Sequence, residues 1–278
     1  MTEEERRALA ALRFSWAQAP DDVWRRSPFH VDGLHDNVVR DVRDSIAEAK
    51  GSTDVSPLGL VLEGRHGTGK THLLGWVREQ VQQQGGYFFL IGLLDESNFW
   101  EGVLVFVLDG LARETAAGET QLQLLLRRLS SRVGAPRADR RAVMGDTELT
   151  RRALDTFVQG LTEFDRHVAL QCRDTLRALA LRASDDEDHQ DVAESYLGGA
   201  DAIPVDLGAW GIRKRRKAQE IVRDISWLLA LTGPTVIAFD QLDTAIAQAA
   251  VRELDPLPAG PVKDALISFA DALVDRAS

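Results

Sequence analysis

The chain has 278 residues, 44% hydrophobic and 27% charged, a balance that supports a sizeable core and excludes disordered and fibrous classes. Its formal net charge of −10 makes the surface as a whole a poor binder of nucleic acid, because a duplex rewards clustered cations and repels an acidic body. The apolar stretch 103–108 is far shorter than the roughly 20 residues that cross a bilayer, and Met1-Thr2-Glu3-Glu4-Glu5 lacks the basic and apolar regions of a signal peptide, so the expectation is a cytoplasmic chain with no membrane partner.

The single cysteine, Cys172, excludes an internal disulfide and a cysteine-based zinc site, and its helical setting reads as a buried, inert thiol. Of 33 basic residues only five are lysines, Lys50, Lys70, Lys214, Lys217 and Lys263. Arginine is the default surface cation here, so a lysine in a special place carries information.

In chain order, Thr2 followed by Glu5 forms a capping-box pattern for a helix to about residue 17, and Val38, Val39, Val42 and Ile46 recur at helical spacing over 37–50. A linker at 51–57 ends this N-terminal helical segment, residues 1–50. Leu58-Gly59-Leu60-Val61-Leu62 has the character of a short buried parallel strand. A glycine-rich loop follows, then a helical pattern through Leu73, Leu74, Trp76, Val77 and Val81, a stop at Gly85-Gly86, and a second strand at 87–91. Strand, loop, helix and strand make a βαβ unit, so residues 51–115 are read as half of an α/β core with a parallel sheet. From 98 to about 231 the pattern is helical, with loops expected at 134–140, 184–190 and 198–204; residues 116–217 are assigned to a large helical insertion. A third strand, Val236-Ile237-Ala238-Phe239, ends on Asp240 and opens the second half of the core, 218–278, which closes with an Ala-rich helix, a proline break and a helix from 262 to about 276.

The loop Gly64-Arg65-His66-Gly67-Thr68-Gly69-Lys70-Thr71 matches G-x-x-x-x-G-K-[ST] between a predicted strand and a predicted helix, which is the context the motif demands. Glycines let the backbone wrap a phosphate chain with its N–H groups pointing inward, the helix start adds its positive dipole end, and Lys70 supplies a point charge. The predicted nucleotide-binding set is therefore Gly64 to Thr71, with His72 in the first helical turn. Thr71 would hold Mg²⁺ through its hydroxyl. Asp240, at the end of a predicted parallel strand, is the carboxylate that would hold the metal's water shell against the phosphates.

Gly64 to Thr71 and Val236 to Asp240 resemble the Walker A and Walker B motifs of P-loop NTPases. With the helical unit ahead of the loop and Thr71-His72-Leu73-Leu74 after it, the chain resembles AAA+ and STAND ATPases, including origin-recognition-like members. Asp240-Gln241-Leu242-Asp243 is similar to the D-Q-F-E of many STAND proteins. The resemblance covers about residues 35–115 and 218–275. It implies ATP and Mg²⁺ as cofactors, protein partners or self-assembly, and a nucleotide-dependent switch or motor, for example in replication, signalling or antiviral defence. Many such ATPases carry a glutamate directly after the Walker B aspartate to polarise the attacking water; here Gln241 stands there, leaving Gln241 or Asp243 as the water-positioning candidates.

About 170 residues separate Lys70 from Asp240, which an inserted helical subdomain accounts for. In the resembling families a further strand lies between the Walker B and P-loop strands. Its absence before Ser278 suggests either the front part of a longer protein or a partner chain that completes the sheet; in another P-loop class the two strands are direct neighbours and no extra strand is needed.

The run Arg213-Lys214-Arg215-Arg216-Lys217 opens a predicted helix with five like charges, against the helix dipole. Nucleic acid, a nucleotide phosphate or the acidic loop 185–188 could each compensate it, alongside a purely intramolecular role. His30 and His35 show no metal-ligand pattern. Two alternatives to the ATPase remain open: a P-loop phosphotransferase whose lid uses Arg127-Arg128 or Arg151-Arg152, and a nucleotide-binding module without turnover.

Overall fold

A computed structural model describes residues 20–25, 36–51, 59–62, 69–92, 98–198 and 206–240. Within them the chain is mainly helical around one small parallel sheet, an α/β arrangement. Helices α1 (Asp36–Gly51) and α2 (Lys70–Gln83) precede strand β1 (Tyr87–Ile91). Then come α3 (Phe99–Ala112), α4 (Gln121–Arg132), α5 (Arg137–Val143), α6 (Arg151–Phe164), α7 (Arg166–Arg182), α8 (Glu187–Leu197), α9 (Ala218–Ala230) and strand β2 (Thr235–Phe239).

The turn that feeds β1 is set by its glycines. Gly85 sits at φ +74°, where a side chain would be strained, and a Cβ on Gly86 would lie 2.7 Å from Val81 and 2.8 Å from the Pro234 carbonyl. β1 then pairs in parallel with β2, from Tyr87 opposite Thr235 to Ile91 opposite Phe239. Every residue of β1 is buried, and period-2 alternation sends its side chains into two cores. Tyr87, Phe89 and Ile91 join the large core made with α3, α4 and the helices from α5 to α9. Phe88 and Leu90 face Trp76, Val77 and Val81 of α2, Val42 and Ile46 of α1, and Val23. Arg78 of α2 donates to the Trp24 carbonyl at 2.8 Å, which ties the 3-10 turn Pro20–Trp24 to that layer.

A parallel strand paired on one edge leaves alternate N–H and C=O groups bare on the other. Gln121, fully buried at the start of α4, covers that edge. Its carboxamide oxygen accepts from Phe88 N at 2.9 Å, and its Nε2 donates to Phe88 O at 2.9 Å and Gly110 O at 2.7 Å. One side chain thus imitates a neighbouring strand and clamps α3 to β1. α4 is positioned for this by a capping box, in which the Thr120 hydroxyl accepts from Gln123 N and the Gln123 side chain accepts from Thr120 N.

Several expectations change. Residues 59–62 belong to no strand, and Leu60 and Val61 are exposed. An apolar run becomes a strand only where a neighbour supplies ladder partners, and the two described strands pair with each other. Direct pairing of this segment with β2 is therefore not found among the described residues. The expected loop at 134–140 contains the start of α5, which begins after Pro136, because proline at a helix start costs no hydrogen bond. The expected loop at 184–190 gives way to α8 from Glu187, where the Asp186 side chain accepts from the amides of Asp188 and His189. The apolar residues of the helical region run continuously into one face of β1. The predicted helix at 2–17 and the elements after Asp240 lie outside the described residues.

Replacing Gln121 with leucine keeps the volume but strands the N–H and C=O of Phe88. Chemical denaturation is expected to show a loss of about 2–4 kcal/mol, from one to two buried groups left without partners.

Candidate functional site

The described part of the glycine-rich loop is its end. Gly69 adopts the left-handed conformation, φ +89° and ψ 21°, as the residue that caps α2, and Leu73 N donates to its carbonyl at 2.9 Å to close the first turn. Gly69 has no side chain with which to cap this helix start. The amides of Lys70, Thr71 and His72 lie in its first turn, where N–H groups have no intrahelical partner and the helix dipole is positive. The side chains of Lys70, Thr71 and His72 are half-buried. Gly64, Arg65, His66, Gly67 and Thr68 lie outside the described residues.

At the end of β2 the ladder continues one step further, as Asp240 N donates to Ile91 O at 2.9 Å. This holds the half-buried Asp240 just past the carboxyl end of the strand. α2 runs back along the sheet before the chain turns into β1, so the start of α2 lies at the same carboxyl end. Lys70, Thr71 and Asp240 are thereby brought to one end of the sheet by topology, the end where open α/β sheets bind ligands. A hydroxyl and a carboxylate suit a hard cation that keeps most of its water and takes phosphate oxygens for the rest. Among the described residues no three His, Cys, Asp or Glu side chains converge as a closed metal site. Gln241 and Asp243 lie outside the described residues.

The basic run lies outside any helix or strand and ends as the N-cap of α9 at Lys217. Two of its five cations bond back to the protein, and one of them, Arg216, is half-buried. Arg215 donates to Ser195 O at 2.8 Å, and Arg216 donates to Gln171 O at 2.6 Å and lies 3.5 Å from the fully buried Asp224 carboxylate. Asp224 also receives a hydrogen bond from Thr175 at 2.8 Å and pairs with Arg223 at 3.1 Å. Burial pushes the Asp224 carboxyl above the usual carboxylate range, against the pull of Thr175, Arg223 and Arg216. Arg213, Lys214, Arg215 and Lys217 remain exposed. Part of this run therefore serves as the counter-charge of a buried acid, which charge counting along the sequence does not reveal.

Cys172 is buried in α7, and burial first, then the nearby Asp224, pushes its thiol up to about 12. It stays protonated and unreactive at neutral pH. The arginine pairs expected of a phosphotransferase lid sit elsewhere. Arg151 is bound to Asp155, Gly208 O and Ala209 O in the helical region. Arg128 bonds the carbonyls of Gly85 and Thr232 at the amino end of the strands, away from Lys70. Arg127 and Arg128, expected as a lid pair, instead gather with Arg132, Arg137, Arg140 and Arg141 of α4 and α5 around one pocket; the signal for this was two arginine-rich clusters separated by a glycine-proline turn.

Compared with known proteins, the chain matches no family model, no curated protein and no solved structure. No helix among the described residues is long and apolar enough to cross a membrane.

Two outcomes test this geometry. A Cβ on Gly69 meets open space, so Gly69→Ala probes backbone conformation alone; it is expected to cost about 1–2 kcal/mol in a denaturation experiment, and Gly69→Asn less. Arg216→Ala leaves Asp224 with Arg223 as its remaining ion pair and is expected to cost about 2–4 kcal/mol near neutral pH. Because the Asp224 carboxyl titrates above its unfolded value, the folded state gains relative stability on protonation. The deficit should therefore shrink as pH falls through that raised folded value, which a pH series of melts would reveal.

Proposed function

We propose that this chain is an ATP-binding P-loop domain of the AAA+/STAND type that acts as a nucleotide-dependent switch or motor in a larger assembly. The observation that carries the reading is the conjunction of G-x-x-x-x-G-K-T ending in a left-handed Gly69 at a helix start, with Asp240 at the same end of the sheet. In this reading the loop amides and Lys70 hold the phosphates, and Thr71 and Asp240 hold Mg²⁺, which when bound neutralises phosphate charge. Gln241 or Asp243 orients water for hydrolysis. The γ-phosphate distinguishes the two nucleotide states by its charge, and protein partners or self-assembly would read that difference. A binding module without turnover is the second reading, favoured by Gln241 where many related ATPases have a glutamate. The phosphotransferase reading loses the support of its arginines, given the positions of Arg128 and Arg151.

Titration calorimetry of the chain with ATP and Mg²⁺ is expected to show binding that Lys70→Ala weakens about 10- to 100-fold, the worth of one to two charge-assisted hydrogen bonds. Asp240→Asn should retain nucleotide but lose most of the Mg²⁺ enhancement. Phosphate release by the unaltered chain separates the ATPase from the module, and no ATP binding at all would refute both.

A further inference from the structure

Helices α4 and α5 border an open surface cavity of about 730 Å³ whose lining includes Arg127, Arg128, Arg132, Arg137, Arg140 and Arg141 and no acidic residue. Six guanidinium groups around one cavity repel one another, so each needs a reason to be there. Three have one. Arg127 is held by Glu119 through contacts of 2.5 and 3.0 Å. Arg128 bonds the Gly85 and Thr232 carbonyls and stacks over Tyr87 with 5.7 Å to the ring centre. Arg132 bonds the Leu231 carbonyl and lies over Phe164. Arg137, Arg140 and Arg141 on α5 make no side-chain hydrogen bond or ion pair among the described residues, though they line the same cavity. Ser130 and Ser131 also line it, the Ser130 hydroxyl donating to Arg127 O at 3.1 Å.

We propose that this cavity is a second anion site, which binds closely spaced phosphate groups. Guanidinium forks match phosphate oxygens in paired hydrogen bonds, and an anion with several charges relieves the repulsion among the arginines. The lining has no aromatic ring on which a base could stack, so recognition is of phosphate and not of base sequence. The site is independent of the proposed nucleotide site. Its contacts to Gly85, Leu231 and Thr232 place it at the amino end of the strands, beyond the C-terminus of α2. Lys70 begins that 14-residue helix, about 20 Å away at 1.5 Å per residue. Two sources present this chemistry, the backbone of a nucleic acid and a free condensed phosphate.

The test uses the full chain carrying Lys70→Ala, so that loss of the nucleotide site and loss of this one are read separately. A fluorescent single-stranded oligonucleotide and inorganic tripolyphosphate are titrated at about 50 mM salt, where phosphate contacts are strong. Saturable binding of either probe is expected. The triple variant Arg137→Ala, Arg140→Ala, Arg141→Ala should weaken it about tenfold or more with an unchanged melting curve, and Arg141→Glu alone should weaken it in a chain altered at only one exposed position. Tighter binding of the oligonucleotide, with a salt slope that falls by about two in the triple variant at ~0.7 per phosphate contact, assigns the site to nucleic acid. Tighter binding of tripolyphosphate assigns it to free phosphates. Binding of neither probe, or binding that survives both the triple variant and Arg141→Glu, overturns the proposal.

Discussion

The structure depends on one five-residue strand. Tyr87 to Ile91 has large side chains on both faces, so the chain can bury it only by placing a layer on each side. Its two edges impose a further demand, since buried N–H and C=O groups without partners are costly. β2 satisfies one edge along its whole length, and the carboxamide of Gln121 satisfies Phe88 on the other. The helical region is bound to the sheet through that amide and through Tyr87, Phe89 and Ile91. It is therefore part of the same packing unit, although its sequence reads as an insertion.

This arrangement gives the sheet two chemically different ends. At the carboxyl end, a left-handed glycine hands the chain to a helix start, and the ladder bond from Asp240 to Ile91 holds a carboxylate beyond the neighbouring strand. At the amino end, Arg128 and Arg132 cross from α4 to the carbonyls just before β1 and β2. Those contacts fix α4, and the short turn after it presents three more arginines from α5. The acidic net charge of the chain conceals a strongly cationic spot, because net charge is a sum over the whole surface while recognition depends on local density.

The legible features were those with local causes. The strand at 87–91 follows from five consecutive apolar residues behind two glycines, α2 from helical periodicity after a glycine-lysine step, and the strand at 235–239 from an apolar run after Gly233-Pro234. Cys172 was legible as buried because it lies among apolar residues at helical spacing. Residues 59–62 show the limit. Their composition is as strand-like as that of β2, yet strand formation depends on a partner in space, and composition carries no information about pairing. The start of α8 shows a milder case, in which the acidic stretch read as a loop is a helix beginning capped by Asp186.

The sequence by itself determined the phosphate-loop motif, the order of helix and strand around it and the carboxylate after the last described strand, because spacing along the chain dictates each of them. Tertiary structure alone decided that Gln121 closes a sheet edge, that Arg216 balances a buried Asp224, and that arginines from two helices share one cavity. Gln121 lies 33 positions from Phe88 and Arg216 lies 8 from Asp224, and such pairings are set by how helices pack against a strand, which no local pattern records.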